Sequence, residues 1–185
     1  MPNQISLHLG DALSAEADVL VAAIDGTIKP RVEQLDRVLG NIGRAFTKRF
    51  PSADFVTELE AQLDLPLALG RAALVEVSAC PFRAVVLVSS LHHVEHLDGT
   101  AKRALVRTCM TSALTLATKS GFQKISTAIL QGGWRLPPDA AFAPMIDAIS
   151  ALPSDLVVEI YCIDAGVFSA LAPLARSLGV SVVGA

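Results

Sequence analysis

The stretch that decides the fold reads KISTAIL over residues 124–130 and continues as QGGWRLPP over residues 131–138. A short run rich in β-branched residues that ends in two glycines and a proline pair predicts a buried strand, a tight loop and the start of a helix. In an open α/β sheet, ligands bind beyond the carboxyl ends of the strands, where glycines let backbone N–H groups approach a phosphate. This loop is therefore the first candidate for a ligand site. The alternative is a turn that only joins a strand to a helix.

Predicted strands and helices alternate on both sides of this stretch. Apolar or alternating runs predict strands over residues 5–9, 19–24, 73–77, 84–89, 156–163 and 180–183. Apolar spacing and capping residues predict five helices. The first begins at residue 30 and has a break near Gly40, and the second follows a cap at Ser52. The third runs from a cap at Thr100 to about residue 120, and the last two span 138–152 and 169–178. Each helix must bury an apolar stripe on a sheet face. We therefore expect a three-layer α/β/α sandwich with a mixed, mostly parallel sheet, in one domain spanning residues 1–185.

The composition restricts the classes of protein to which this chain can belong. Hydrophobic residues make up 52% of it, yet no stretch approaches the roughly 18 consecutive apolar residues that suggest a membrane span. The net charge of −3 leaves no broad basic surface, which argues against nucleic acid as a partner. Strands covered on both faces and wide apolar helix faces account for the apolar excess, with a homodimer interface as a further candidate.

The cysteines and the N-terminus both favour a cytoplasmic location. Cys80, Cys109 and Cys162 stand far apart in apolar surroundings, which predicts reduced, buried thiols. The first four residues are not a charged segment followed by an apolar one, which argues against a signal peptide. No cofactor is predicted.

Four short motifs occur in order along the chain. Gly10-Asp11 follows the first strand, VAAID over 21–25 ends the second, LQGGWRLP spans 130–137, and Phe168 follows Ile163-Asp164 at the end of a later strand. In this order the segments resemble those of a macro domain, the α/β/α module that binds ADP-ribose and related nucleotides. The resemblance covers residue 5 to about residue 178. It implies a small-molecule nucleotide as the partner of this chain.

The resemblance implies a role for each matching residue. Asp11 would accept a hydrogen bond from the adenine amino group, as an ionised carboxylate can, and Phe168 would stack on the adenine ring. From the residues alone, Asp11 is equally suited to capping a turn, and Phe168 to packing at the start of an apolar helix. Gln131, Gly132 and Gly133 match the phosphate loop, where the backbone N–H groups of the two glycines would hold phosphate.

Trp134 and Arg135 follow the two glycines, and each has two interpretations. Trp134 keeps an aromatic residue in the phosphate loop, whereas a lone tryptophan is more often a core anchor. Arg135 could bind a phosphate with both guanidinium N–H groups, or stack on the indole of Trp134 at the surface.

The second motif departs from the macro-domain pattern. Where the family has two asparagines that contact the distal ribose and help to place the water in hydrolytic members, this chain has Ala22 and Asp25. Ala22 has no polar group, and a carboxylate at Asp25 would repel a diphosphate. A single Gly26 replaces the glycine run that follows in the family. The resemblance thus implies a ligand site that includes Ala22 and Asp25 but does not hydrolyse ADP-ribosyl bonds efficiently.

A second cluster of reactive side chains lies in SLHHVEH over residues 90–96. His92 and His96 would share one face of a helix, and together with His93 they are the candidate metal ligands of the chain. Zinc catalysis usually needs a further ligand that leaves one position open, and none follows at a suitable spacing. The alternative is a solvated loop. If the chain is a hydrolase, Asp25 and His92 are the catalytic candidates.

Three functions are compatible with these residues. The first is a divergent macro-like domain that binds ADP-ribose or a related nucleotide, which the retained Gly10-Asp11 and Gly132-Gly133 favour. The second is a macro-like scaffold that has lost its ligand and acts through protein association as a homodimer. The third is a hydrolase that acts on ADP-ribosyl bonds or uses a metal held by the histidines.

Overall fold

The computed structural model describes residues 3–26, 38–90, 96–131, 136–152 and 155–184. The strands of this part of the chain are β1 (Gln4–Leu9), β2 (Val19–Ile24), β3 (Ala72–Glu76), β4 (Ala84–Ser89), β5 (Lys124–Ala128), β6 (Val157–Cys162) and β7 (Ser181–Val183). Its α-helices are α1 (Asn41–Arg49), α2 (Phe55–Gln62), α3 (Gly99–Lys119), α4 (Pro138–Ala151) and α5 (Ala165–Ser177). Every predicted strand is present, with ends shifted by at most two residues.

The strands form one sheet in the order β3-β4-β2-β5-β6-β1-β7. Only β3 runs antiparallel to its neighbour among these seven strands, and the other pairs are parallel. The predicted mixed, mostly parallel sheet is confirmed. Because the six parallel strands end on the same side of the sheet, this side is called the carboxyl edge below.

Helices cover both faces of the sheet. On one face, α3, α4 and α5 bury a continuous set of apolar side chains that includes Met110, Phe142 and Leu171. On the other face, α1 and α2 contribute Phe46, Phe55 and Leu59 to a second core. Each such side chain contributes roughly 1.5–3 kcal/mol by leaving water. The three-layer sandwich is confirmed, and its two cores account for the high apolar content.

Two helices begin at different residues from those predicted, because aspartates take the capping positions. Asp98, and not Thr100, caps α3, since its Oδ1 accepts a hydrogen bond from the Ala101 N–H at 2.7 Å. An ionised carboxylate also complements the positive end of the helix dipole. Asp164 caps α5 in the same way through the Val167 N–H at 2.8 Å, so this helix starts at residue 165 instead of 169.

The prediction that Ser52 caps the second helix is wrong. Ser52 lies inside the 3₁₀ turn Pro51–Ala53, and α2 begins at Phe55 after Asp54. Pro51 has no N–H to lose and a φ angle suited to a first turn, which places the turn ahead of the helix.

The first predicted helix is only partly within the described residues. Its beginning falls on residues 27–37, which lie outside them. The predicted break near Gly40 is confirmed, because Gly40 is the N-cap of α1 and its N–H donates to the Ala23 carbonyl at 2.9 Å. The chain thereby rejoins β2 close to the carboxyl edge.

No helix in the described ranges is long and apolar enough to cross a membrane.

Candidate functional site

The carboxyl edge brings together residues that are far apart in sequence. Asp11 follows β1, Asp25 follows β2, Gln131 follows β5, and Phe168 lies in the first turn of α5 after β6. Because β1, β2, β5 and β6 are parallel neighbours in the sheet, these positions share one side of the molecule. The described residues of the four motifs thus lie along one edge of the sheet.

Asp11 caps a turn, and its side chain is only partly buried. Its Oδ1 accepts a hydrogen bond from the Leu13 N–H at 3.0 Å and so caps the 3₁₀ turn Ala12–Ser14. Its Oδ2 lies 3.8 Å from Nη1 of Arg49, and the two side chains are 38% and 50% exposed. The capping interpretation is therefore correct, and Oδ2 takes no part in the cap.

Arg49 lies beside Asp11, and sequence reasoning did not identify it. It lies near the end of α1, and its Nη2 donates to Ser14 Oγ at 3.1 Å. Positions 14 and 49 are separated by 35 residues. Nothing in the local sequence pairs them, because the contact depends on how α1 packs against the sheet.

An aromatic pair lies beside the Gly10-Asp11 turn. A Cβ built on Gly10 would lie 3.7 Å from Cδ1 of Tyr161, whose ring stacks on His8 with centroids 4.8 Å apart. Burial, followed by the hydrogen bond from the tyrosine hydroxyl to Glu159, raises the pKa of Tyr161 to about 12. Burial also lowers the pKa of His8. Both rings are therefore predominantly uncharged at neutral pH.

Ala22 and Asp25 are both buried, but Ala22 lies within β2 and Asp25 directly follows this strand. The Ala22 side chain is fully buried in the core beneath α1 and α2. Asp25 is only 2% exposed, and its backbone N–H donates to the Val38 carbonyl at 2.7 Å. The site thus holds a buried carboxylate where the resemblance implied an amide, and contact of either residue with a ligand stays a prediction.

Two serine hydroxyls are buried where β4 reaches the carboxyl edge. Ser89 pairs with Ile24 in the parallel register of β4 and β2, and it is fully buried. Its Oγ and that of Ser90 have no hydrogen-bond partner in the part of the chain that the structure describes. Sequence reasoning attached no role to these serines, although polar residues at the end of the apolar run 84–88 were a visible signal.

Gln131 closes the base of the candidate phosphate loop. Its Nε2 donates to the Leu136 carbonyl at 2.9 Å, so the two residues that flank 132–135 are held together. Gly132, Gly133, Trp134 and Arg135 lie outside the described residues, and their roles stay predictions.

Phe168 is partly buried and packs against the core formed with α3, α4 and α5. A Cβ built on Gly184 would lie 3.5 Å from Cε1 of Phe168, so the C-terminal end of the chain passes over the edge of the ring. Ile163, by contrast, is 80% exposed at the carboxyl edge. The packing interpretation of Phe168 is correct, and adenine stacking on it stays a prediction.

The histidine cluster is mostly outside the described residues. His92 and His93 fall in the segment 91–95, and His96 is exposed. The described ranges contain no group of three or more His, Cys, Asp or Glu side chains that could hold a metal ion. The metal and catalytic roles of these histidines therefore stay predictions.

Comparison with known proteins gives matches in structure only. No protein-family model and no curated protein sequence matches the chain. The Oceanobacillus iheyensis macrodomain with MES bound matches with a TM-score of 0.72 and 17% identity, over 96% of this chain and 96% of that one. The Trypanosoma brucei macrodomain in complex with ADP matches with a TM-score of 0.66 and 16% identity, over 90% of this chain and 66% of that one. The macrodomain of Mycobacterium tuberculosis DarG matches with a TM-score of 0.60 and 16% identity, over 86% and 97%.

Proposed function

Because this chain has the fold of a macro domain, we propose that it binds ADP-ribose or a related adenine nucleotide at the carboxyl edge. The T. brucei macrodomain was crystallised with ADP, which supports a nucleotide as the ligand class. We propose binding without efficient hydrolysis of ADP-ribosyl bonds.

The observation that carries the proposal is the partly exposed carboxylate of Asp11, of which only Oδ1 takes part in the cap. A carboxylate accepts hydrogen bonds and donates none, so it recognises an exocyclic amine and disfavours a carbonyl at the same position. Arg49, next to it, is a donor and suits an acceptor such as a ring nitrogen. An acceptor and a donor side by side fit the edge of adenine better than that of a base with a carbonyl there.

The phosphate part of the proposal depends on the loop after β5. The hydrogen bond between Gln131 and Leu136 fixes the separation of the two ends of that loop. Backbone N–H groups of Gly132 and Gly133 would hold the phosphates, and Arg135 would neutralise their charge.

Ala22 and Asp25 support the second part of the proposal, that the chain does not hydrolyse ADP-ribosyl bonds efficiently. The Ala22 methyl group is fully buried and offers no amide to orient a ribose or a water. An ionised carboxylate at Asp25 has no N–H to donate, and it repels a diphosphate where an amide would not.

Calorimetric titration with ADP-ribose, ADP and GDP tests the binding proposal. We expect saturable heat with the adenine nucleotides and weaker binding of GDP. Asp11→Asn keeps an oxygen for the Leu13 N–H but presents an amide donor to the base, so it should weaken adenine binding by about tenfold. Glu76→Gln removes the same charge at the opposite edge and should have no effect. Absence of heat with every nucleotide at about millimolar concentration would rule the proposal out.

Incubation with a mono-ADP-ribosylated peptide tests the second part. We expect release of ADP-ribose to stay at the rate of the peptide alone. Release of ADP-ribose that requires the protein and that Asp25→Ala abolishes would contradict the proposal of binding without hydrolysis and would favour a hydrolase.

A further inference from the structure

A groove of about 240 Å³ lies between β3 and α3, and none of its lining residues is one that the nucleotide proposal uses. We propose that this groove and the outer edge of β3 bind an extended, acidic segment of a partner protein, which adds to the sheet as one more strand. The proposal is independent of nucleotide binding.

The charge of the groove indicates an acidic occupant. Its lining includes Arg71, which immediately precedes β3, and Lys119 at the end of α3, together with Thr111, Ser112 and Thr115. The lining contains no carboxylate, and none of the ion pairs among the described residues involves either cation. Both cations are exposed and therefore accessible to carboxylates of a partner.

The edge of the sheet supplies the backbone partner. β3 is the first strand in the sheet order, and it pairs with β4 on one side only in the described part of the chain. In an antiparallel ladder, alternate residues direct their N–H and C=O groups away from the partner strand. The Val77 N–H donates to Arg83, so the outward positions of β3 are Ala72, Leu74 and Glu76.

Gln62 already forms hydrogen bonds with the outward backbone groups of one of these positions, Glu76. Its side-chain amide donates to the Glu76 carbonyl at 3.2 Å and accepts from the Glu76 N–H at 2.8 Å, as a neighbouring strand would. No described residue makes an equivalent bond to Ala72 or Leu74. The open length of the edge is therefore the end of β3 that adjoins the cationic groove.

An added strand explains the combination of these features. Its backbone would bond to Ala72 and Leu74, and alternate side chains on one face would enter the groove beside α3. Carboxylates at those alternate positions would meet Arg71 and Lys119. A free small anion would satisfy the cations but would leave the backbone groups of β3 without partners.

Fluorescence anisotropy of a labelled peptide of alternating glutamate and valine provides the test, with the full chain saturated with ADP-ribose. We expect saturable binding that weakens as salt is added, and the same affinity when ADP-ribose is left out. The matched peptide of alternating glutamine and valine should bind at least about tenfold more weakly. A glutamate peptide with alternate backbone nitrogens methylated should not bind, because it cannot form the ladder. Amide hydrogen exchange at Ala72 and Leu74 should slow on binding.

Charge-reversal variants place the site. Arg71→Glu and Lys119→Glu should each weaken binding by about tenfold, and Arg71→Gln should weaken it less. Arg107→Glu introduces the same charge change at an exposed position of α3 outside the groove, and should bind within about twofold of the parent chain. Equal loss in the Arg107 variant, or undiminished binding of the methylated peptide, would overturn the proposal, as would binding that inorganic phosphate alone displaces at equimolar concentration.

Discussion

Replacement of Gly26 by alanine tests how tightly the end of β2 is packed at the carboxyl edge. A Cβ built at this position lies 2.6 Å from Ser89 Oγ, 2.7 Å from Ser89 Cβ and 3.0 Å from Leu67 Cβ, whereas ordinary contact begins at 3.4 Å. Ser89 cannot move away easily, because its N–H donates to the Arg71 carbonyl at 2.9 Å and its carbonyl accepts from the Gly70 N–H at 2.8 Å. Alanine therefore requires a shift of backbone that is held on both sides.

The expected cost follows from this geometry. Overpacking of a buried site typically costs about 1–3 kcal/mol. Leu67 is also bound through its backbone, since its N–H donates to the Gly26 carbonyl at 2.6 Å. We therefore expect the upper part of that range, about 2–3 kcal/mol of the free energy of unfolding, which lowers Tm by about 4–12 °C for a domain of this size.

Urea unfolding followed by far-UV circular dichroism measures this cost. Gly99→Ala is the matched control, because the nearest atom to its Cβ is Nη1 of Arg103 at an ordinary 3.5 Å. Ser89→Ala removes a buried hydroxyl without a described partner, so it should be neutral or stabilising and should recover part of the loss when combined with Gly26→Ala. A Gly26→Ala chain within about 0.5 kcal/mol of the parent would refute the packing described here.

Three further predictions concern other parts of the fold. Asp18 accepts hydrogen bonds from the backbone N–H groups of Lys124 and Gln123, and the bond from Lys124 is the main cause of the lowered pKa of Asp18. The Asp18 carboxylate therefore stabilises the fold at pH values above its ordinary pKa of 3.8. This contribution is lost as the pH falls through the lowered pKa. Asp18→Asn should accordingly cost about 1 kcal/mol near neutral pH and less in acid, as measured by urea unfolding at each pH. Burial raises the pKa of Cys109 to about 12, so mass spectrometry after alkylation at about pH 8 should find this thiol unmodified until the chain unfolds. Gln131→Leu removes the hydrogen bond to Leu136 and should weaken ADP-ribose binding by about tenfold in calorimetry with little change in Tm, because the two ends of the loop are no longer held together.

The strands were predictable because their local sequence determines them. Runs such as 19–24 and 84–89 are apolar and mostly β-branched or small, and a strand buried on both faces needs that composition. Helix starts were less predictable, since Asp98 and Thr100 are both good capping residues.

The positions of three candidate residues on the sheet were predictable. Asp11, Asp25 and Gln131 all follow strands, and the carboxyl-edge rule places them together once the sheet is parallel. Arg49, Ser89 and Ser90 were not identified, because their significance arises from contacts or burial that no short motif records. Ala22 was identified from its motif, whereas the structure shows its side chain in the core beneath α1 and α2.

The sequence by itself determined the alternation of strands and helices, the two-sided burial of the sheet and the edge of the sheet at which Asp11, Asp25 and Gln131 lie. These properties depend on periodicity and on turn residues, which act over a few positions of the chain. Only the tertiary structure decided that Asp11 lies beside Arg49, that Gly26 has no room for a methyl group, and that the outer edge of β3 adjoins two cations. Such contacts depend on how the helices pack on the sheet. Packing brings together residues that are far apart in sequence, and no local sequence pattern indicates which of them will meet.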